Sequence, residues 1–397
     1  MTSKQASQSA PGPEAFPSGI ALFIPDLGGG GAERVVVNLA NEFSRRGITT
    51  YLVLARATGP LLDVVSEDVC LADLKCPSRA MAPLLLAQWL RRTQPNVLSS
   101  HMDIANVVAA LASKLAGFKG HLQHVVHIHV SSQKNHHRRL KDSLVFALCK
   151  RVYPKADSIV AVSDGVKEDL ESSLALPPNS VTRIYNPIIT DSFETLAAEP
   201  VFHEWIQDSQ LPLITSAGRL HGQKDFATLI RAVGILKADG NPVRLLILGD
   251  GPEKQELARL VEQLGLGDSV QLIGYVENPL AYIHASNAFV LSSFFEGFGN
   301  VLVEALACGT SVVSTDCPSG PAEILDNGRY GALVPVGDVT AMAEAIRRTL
   351  LKKRNDPNDF TIQTRTFRAS PVADAYLIGF RTQARRNDDR TRARHLR

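Results

Sequence analysis

The 397-residue sequence has no run of 18 consecutive apolar residues, so it predicts no transmembrane helix. Its first 18 residues are rich in proline and serine and lack the apolar core of a signal peptide. We therefore expect a disordered leader at the start of the chain. Five scattered cysteines form no Cys-x-x-Cys pair and show no zinc-ligand spacing, which favours free thiols in a reducing, cytoplasmic compartment.

A large excess of one charge is also missing. The chain has 42 Lys and Arg against 40 Asp and Glu, a formal net charge of +2. A dedicated nucleic-acid-binding protein usually carries a strong basic excess, so we expect no nucleic-acid partner. The near balance hides a regional contrast, because residues 1–190 are net positive, residues 191–380 net negative and residues 381–397 positive again.

Short apolar strands alternate with amphipathic helices along most of the chain. The first half predicts five strands, including one over 124–130, and the second half predicts six. This alternation is typical of an α/β fold class with doubly wound parallel sheets, here two Rossmann-like domains with a cleft between them. The predicted segments are a disordered leader, a first domain, a linker, a second domain, a helix and a basic disordered tail: residues 1–18, 19–188, 189–210, 211–368, 369–384 and 385–397.

Two strand-to-helix connections carry groups suited to phosphate. The glycine run Gly28–Gly31 follows the first strand and leads into a helix, whose N-terminus favours negative charge. Arg219 and Lys224 follow the first strand of the second domain, and their two cations suit the two phosphates of a diphosphate. Each motif considered alone leaves an alternative open. The glycine run also fits a tight turn, and Arg219 and Lys224 also fit a pair of solvated surface charges.

The strongest motif carries two carboxylates eight residues apart, Glu296 at a strand end and Glu304 inside the following helix. Carboxylates pair well with vicinal diols, and the apolar neighbours of Glu304 argue against an idle surface charge. Exposed amides at the start of this helix can meet an anion. They belong to Gly297, Phe298, Gly299 and Asn300.

No Asp-x-Asp pair occurs anywhere in the chain. Enzymes that hold a divalent metal on a sugar diphosphate usually need such a pair. We therefore expect no metal ion and no cofactor, with the cations and helix dipoles neutralising the anion instead.

In order and spacing, these motifs resemble family 4 glycosyltransferases of the GT-B fold over about residues 20–350. The resemblance implies a nucleoside-diphosphate-sugar donor bound to the second domain and an acceptor bound to the first. It also implies that the helix over 369–384 crosses back to the first domain.

The resemblance assigns roles residue by residue. Glu296 would bind the sugar hydroxyls, Glu304 the ribose, and Arg219 and Lys224 the diphosphate. The loop at Gly30 and Gly31 would close over the diphosphate, and the backbone near Tyr275 and Val276 would meet the base. The catalytic candidates are His129, Arg219, Lys224 and Glu296, with His101 as a candidate acceptor contact.

The implied function is a retaining, metal-independent transfer of a hexose or N-acetylhexosamine to a lipid-linked saccharide or surface-polysaccharide precursor. A nucleotide-sugar epimerase of the same fold and a non-catalytic nucleotide-sugar-binding protein are the alternatives. The run from Lys134 to Lys155 places basic residues around an apolar stretch, which fits either an anionic membrane surface or a core helix with solvated ends. The expected location is the cytoplasm, with peripheral contact to the inner face of the membrane as the membrane-bound alternative.

Overall fold

A computed structural model of the protein describes residues 15–132, 140–208, 210–352 and 364–395. Within these ranges the chain forms two parallel β-sheets, each covered by helices. The predicted α/β class with two Rossmann-like domains is therefore confirmed.

The first sheet has seven strands in the order β3-β2-β1-β4-β5-β6-β7, all parallel. Its central strands are buried on both faces, which explains their apolar runs. The strands are β1 Ile20–Ile24, β2 Thr50–Leu54, β3 Cys70–Asp73, β4 Val97–His101, β5 His121–Val126, β6 Ser158–Ala161 and β7 Val181–Arg183. The helices are α1 Gly31–Arg45, α2 Ala82–Thr93, α3 Asp103–Ala116, α4 Leu140–Val152 and α5 Asp164–Ser173.

The second sheet has six parallel strands in the order β10-β9-β8-β11-β12-β13. The strands are β8 Leu213–Ala217, β9 Arg244–Leu248, β10 Val270–Gly274, β11 Ala288–Leu291, β12 Ser311–Thr315 and β13 Ala332–Val334. The helices are α8 Phe226–Ala238, α9 Lys254–Gln263, α10 Pro279–His284, α11 Asn300–Ala307, α12 Pro321–Ile324 and α13 Val339–Leu350. Two short helices precede this domain, α6 Phe193–Ala197 and α7 Glu204–Gln207.

Strand order reverses beside β1 in the first sheet and beside β8 in the second. Ligands of doubly wound sheets bind at the carboxyl ends of the strands near such a reversal. The loops that follow β1, β4, β8 and β11 are therefore the ones that the fold places at the cleft.

Some segments differ from the sequence-based expectation. Strands β3 and β7 were not predicted, because β3 is largely exposed and β7 is a three-residue edge strand, so neither has a long apolar run. The linker over 189–210 contains α6 and α7, and Trp205 is buried against Leu213 and Leu248. In the predicted leader, residues 1–14 lie outside the described residues, whereas Phe16 is buried.

The C-terminal helix α14, Ala369–His395, returns to the first domain. The ring of Phe380 lies 6.2 Å from that of Phe16, and Arg46, directly after α1, pairs with Asp374 of α14. The helix continues through residues 385–395, so the expectation of disorder is corrected there, while 396 and 397 lie outside the described residues. This stretch contains neither glycine nor proline, and nothing in its sequence ends a helix.

Over the residues described, none of the helices combines the length and the apolar character needed to span a bilayer.

Candidate active site

A cleft of about 1340 Å³ opens between the carboxyl ends of the two sheets. Its walls come from both domains, and nearly all of the residues predicted from the sequence line it. From the first domain these are Gly30 and Gly31; from the second they are Arg219, Lys224, Tyr275, Val276, Glu296, Gly297, Phe298, Gly299, Asn300 and Glu304.

Lys224 and Glu296 meet on the second-domain wall. The Lys224 ammonium lies 2.6 Å from Oε1 of Glu296, and the Ser293 hydroxyl donates to the same oxygen at 2.6 Å. The side chain of Glu296 is only 8% exposed and that of Lys224 19%, so the pair is shielded from water and fixed in place. Arg219 adds a second cation on the same wall.

Hydrogen bonds to main-chain carbonyls hold together the two loops that carry this pair. The Gln223 side-chain amide donates to the carbonyl of Phe295 at 2.8 Å, and the Phe294 amide donates to the carbonyl of Gln223 at 2.8 Å. The Ser292 hydroxyl donates to the carbonyl of Lys224 at 2.8 Å. The loop after β8 and the loop after β11 therefore form one rigid wall.

The helix α11 begins beside the ion pair. Gly299 has φ +95°, a left-handed conformation that suits glycine, and it turns the chain into the helix. The first amides of α11 have no partner within the helix, so this end favours an anion. Glu304 lies on the second turn of α11 and lines the cleft, where burial raises the pKa of its carboxyl and Arg34 opposes the shift.

The glycine loop crosses from the first domain to α11. The Asn300 side-chain amide donates to the carbonyl of Gly31 at 3.3 Å and accepts from the amide of Asn186 at 2.8 Å. A Cβ on Gly29 would lie 3.7 Å from the Tyr275 ring, so the loop also approaches the wall expected to meet the base. Burial raises the pKa of Glu33, whose carboxylate fills the space beside Gly30.

The structure places His127, rather than the predicted His129, at the cleft wall. Strand β5 ends at Val126 rather than at the predicted residue 130, so His127 is the histidine at the cleft wall. His129 lies outside the cleft lining, with Nδ1 3.0 Å from the Ser132 hydroxyl and 3.6 Å from the Asp169 carboxylate. A strand that continues to residue 130, four residues farther on, could not be distinguished from the observed one by alternation alone.

The expectation that His101 faces an acceptor is also wrong. Its ring is completely buried, does not line the cleft, and lies behind His127 with Nδ1 3.0 Å from Nε2 of that residue. The two rings are both held neutral, since burial lowers the pKa of His127 to about 4 and that of His101 well below its usual value.

Sequence reasoning missed a further cleft carboxyl, Asp103, at the start of α3. The Tyr153 hydroxyl donates to its Oδ1 at 2.8 Å, and burial raises its pKa. Its place directly after the end of β4 is the signal that could have identified it.

The basic run from Lys134 to Lys155 is only partly described. Residues 133–139 lie outside the described part of the chain, and nothing is described of the side chains of 140–142. Helix α4 buries Cys149 and packs on α3, whereas Leu144, Lys150 and Arg151 face outward. In the described ranges, no three His, Cys, Asp or Glu side chains cluster as metal ligands.

Comparison with known proteins follows the same two-domain division. The profile of Glycosyltransferase Family 4 matches residues 29–192, and that of Glycosyl transferases group 1 matches residues 201–367. The chain is 32% identical over 346 residues to the N-acetylgalactosamine-N,N'-diacetylbacillosaminyl-diphospho-undecaprenol 4-alpha-N-acetylgalactosaminyltransferase of Campylobacter jejuni, an alignment that covers 83% of this chain and 90% of that protein.

It is 28% identical to the lipopolysaccharide core biosynthesis glycosyltransferase LpsE of Rhizobium meliloti, covering 88% of this chain and 95% of that one. Anabaena HepE in complex with UDP-glucose has a similar structure, with a TM-score of 0.69 and 19% identity over 93% of this chain and 99% of HepE. On the strength of the two matching profiles and the Campylobacter relative, the chain belongs to glycosyltransferase family 4 and has the GT-B fold.

Proposed function

We propose that this glycosyltransferase transfers a hexose or N-acetylhexosamine from a nucleoside-diphosphate sugar to a saccharide acceptor, with retention of configuration and without a metal ion. The supporting observation is the shielded Lys224–Glu296 pair beside the start of α11. It joins a cation suited to a leaving phosphate and a carboxylate suited to sugar hydroxyls in one cleft.

The charges of the second-domain wall suit a donor diphosphate. Arg219, Lys224 and the amides of Gly297 to Asn300 offer fixed positive charge where negative charge grows on the departing phosphate. Glu296 binds hydroxyls of the transferred sugar. Glu304 accepts from the ribose hydroxyls, and its partly buried position strengthens such charge-assisted hydrogen bonds.

The remaining donor contacts come from two loops. Gly30 and Gly31 cover the diphosphate, because a chain without side chains can approach it closely. The backbone at Tyr275 and Val276 meets the base. His127, in place of His129, lies near the transferred sugar on the first-domain wall.

The reaction on one face of the sugar needs no protein nucleophile. The bond between the anomeric carbon and the phosphate oxygen breaks as the acceptor hydroxyl oxygen bonds to that carbon from the same side. The acceptor proton passes to the departing phosphate oxygen, which leaves a nucleoside diphosphate. Arg219 and Lys224 stabilise the leaving group, and Glu296 orients the oxocarbenium-like sugar.

The acceptor belongs to the lipid-linked or lipopolysaccharide saccharides. The names of the Campylobacter and Rhizobium relatives give substrates of those two classes. The first domain also exposes Leu111, Leu115 and Leu144 on the adjacent helices α3 and α4, which carry the exposed basic residues Lys114, Lys150 and Arg151. This apolar and basic surface suits peripheral contact with an anionic membrane from the cytoplasmic side.

The test combines a panel of nucleotide sugars with a polyprenyl-diphosphate-linked saccharide, with and without chelator. We expect one donor to give nucleoside diphosphate and a glycosylated product that keeps the donor's anomeric configuration by NMR coupling constants. Conversion of the donor to its epimer without acceptor would identify the epimerase alternative. Donor binding with no turnover under any condition would identify a non-catalytic binding protein.

A further inference from the structure

Two side chains at the end of β4 form a buried layer directly behind the cleft. Ser99 and His101 project from the same side of the strand and are completely buried. His101 Nε2 lies 3.3 Å from the Ser99 hydroxyl, and His101 Nδ1 lies 3.0 Å from His127 Nε2. A hydrogen-bonded chain therefore links the interior of the first domain to the cleft histidine.

Ser99 determines which atom donates in each hydrogen bond of this hydrogen-bonded chain. Its single hydroxyl hydrogen is donated to Oε1 of Gln123 at 3.0 Å, and the Gln123 amide donates in turn to the Ser158 hydroxyl at 3.2 Å. Ser99 can then only accept from His101, so the hydrogen of the neutral His101 ring lies on Nε2.

The same logic extends to the cleft. With its hydrogen on Nε2, His101 has a lone pair at Nδ1, and the hydrogen between the two rings must come from Nε2 of His127. A neutral His127 ring has one hydrogen, so its Nδ1 keeps a lone pair. Among the residues that the structure describes, no side chain or backbone group is hydrogen-bonded to that Nδ1.

The backbone of His127 is fixed as well as its ring. A Cβ added to Gly297 would lie 1.8 Å from the carbonyl oxygen of His127, so that carbonyl packs directly on the Glu296–Asn300 loop. The histidine is therefore held between the buried layer and the loop that carries Glu296.

We propose that His101 and Ser99 are positioning residues that hold His127 as the Nε2–H tautomer, so that its Nδ1 accepts a hydrogen bond from a hydroxyl of the bound sugar. The inference deepens the proposed function, on which its catalytic consequence rests. The tautomer itself follows from the hydrogen-bonded chain and can be measured in the absence of any substrate.

The first measurement is the histidine ring ¹⁵N spectrum of the full-length protein, with His127 assigned by the signal lost in His127→Gln. We expect His127 to show a protonated Nε2 and an unprotonated Nδ1 from pH 6 to pH 8. In His101→Phe and Ser99→Ala the two His127 tautomers should mix. In Ser100→Ala, a matched buried serine whose hydroxyl contacts Asn106 and His124 instead, the tautomer should not change.

The second measurement is turnover with the donor found in the panel. We expect His101→Phe to lower kcat about 10- to 100-fold with little change in donor KM, the scale of loss when an outer partner of a functional histidine is removed. His101→Asn retains an acceptor near the position of Nδ1 and should recover most of the loss.

The two measurements separate the two claims. An Nδ1–H or mixed tautomer of His127 in the wild type, or an unchanged tautomer in His101→Phe, overturns the inference whatever the activity. A single Nε2–H tautomer in a protein that transfers no sugar upholds the positioning and overturns the proposed function alone.

Discussion

Glu304 combines a partly buried position with a charge that Arg34 partly offsets, so its contribution to stability depends on pH. Burial raises the pKa of its carboxyl, so the folded protein binds that proton more tightly than the unfolded chain does. The stabilising contribution of this group is therefore fully present below the unfolded pKa of about 4.3 and is lost as pH rises through the higher folded value.

We predict that Glu304→Gln raises the Tm at pH 8 and has little effect at pH 4, because the neutral amide removes the cost of a buried charge. The same change should lower kcat/KM for the donor about 10- to 100-fold through the loss of charge-assisted hydrogen bonds to the ribose. Thermal unfolding at the two pH values and donor kinetics check this. A lower Tm at pH 8 than the wild type would contradict the burial argument.

Most of the charged residues of the cleft could be predicted from the sequence, whereas its histidine could not. Arg219, Lys224, Glu296 and Glu304 all line the cleft as expected, because each lies in a motif whose distance from a strand end is fixed by the fold. His127 was missed because alternating apolar and polar residues continue past the end of β5, and only hydrogen bonding to β4 and β6 shows where the strand stops. Long-range pairing of that kind leaves no local signal.

At the scale of elements, the segments that follow β5 and β6 in the first domain contact the loop before α11 in the second domain. The Ser163 hydroxyl donates to the carbonyl of Gly297 at 2.7 Å, next to the His127 carbonyl. A methyl group at residue 297 would lie 1.8 Å from the His127 carbonyl oxygen, so the backbone on one side of this contact must shift.

We therefore predict that Gly297→Ala increases the radius of gyration by small-angle scattering and lowers turnover about 100-fold, the scale that misplacement by ~1 Å produces. The matched control is Gly267→Ala, because a Cβ there would meet nothing within 4 Å. An unchanged scattering curve together with wild-type turnover in Gly297→Ala would show that this contact does not set the domain spacing.

The C-terminal helix α14 is the second element that ties the halves together. Phe380 is 1% exposed and packs near Phe16, His121 and Tyr376, whereas Ile378 on the same helix is 47% exposed. Its return to the first domain is encoded in contacts between the two ends of the chain, which no local pattern reveals.

We predict that Phe380→Ala lowers the free energy of unfolding by about 3–5 kcal/mol, as for other large side chains removed from a core. Ile378→Ala should change it by less than about 0.5 kcal/mol. Urea unfolding followed by circular dichroism checks both. Equal effects of the two substitutions would mean that α14 does not pack on the first domain.

At the scale of the whole molecule, the small net charge of +2 conceals a basic first half and an acidic second half. The acidic half contains Arg219 and Lys224, so these two cations are opposite in sign to the net charge of their own domain. The basic half carries the exposed leucines of α3 and α4.

We predict salt-dependent binding to vesicles that contain anionic phospholipid and weak binding to vesicles of phosphatidylcholine alone. The double variant Leu115→Gln, Leu144→Gln should weaken binding about 10-fold, and Leu264→Gln, at a comparably exposed leucine of the second domain, should not. Co-sedimentation at two salt concentrations measures this. Equal binding to both kinds of vesicle would rule out the electrostatic part of the contact.

The central claim is metal-independent transfer from a nucleoside-diphosphate sugar by the Lys224–Glu296 wall, and acceptor-dependent release of nucleoside diphosphate tests it most directly. We predict release that requires acceptor, persists in excess chelator and falls about 100-fold or more in Lys224→Met, which keeps the length of the side chain but removes its charge. Release that stops in chelator and returns with a divalent metal, or near-normal release in Lys224→Met, would contradict the account.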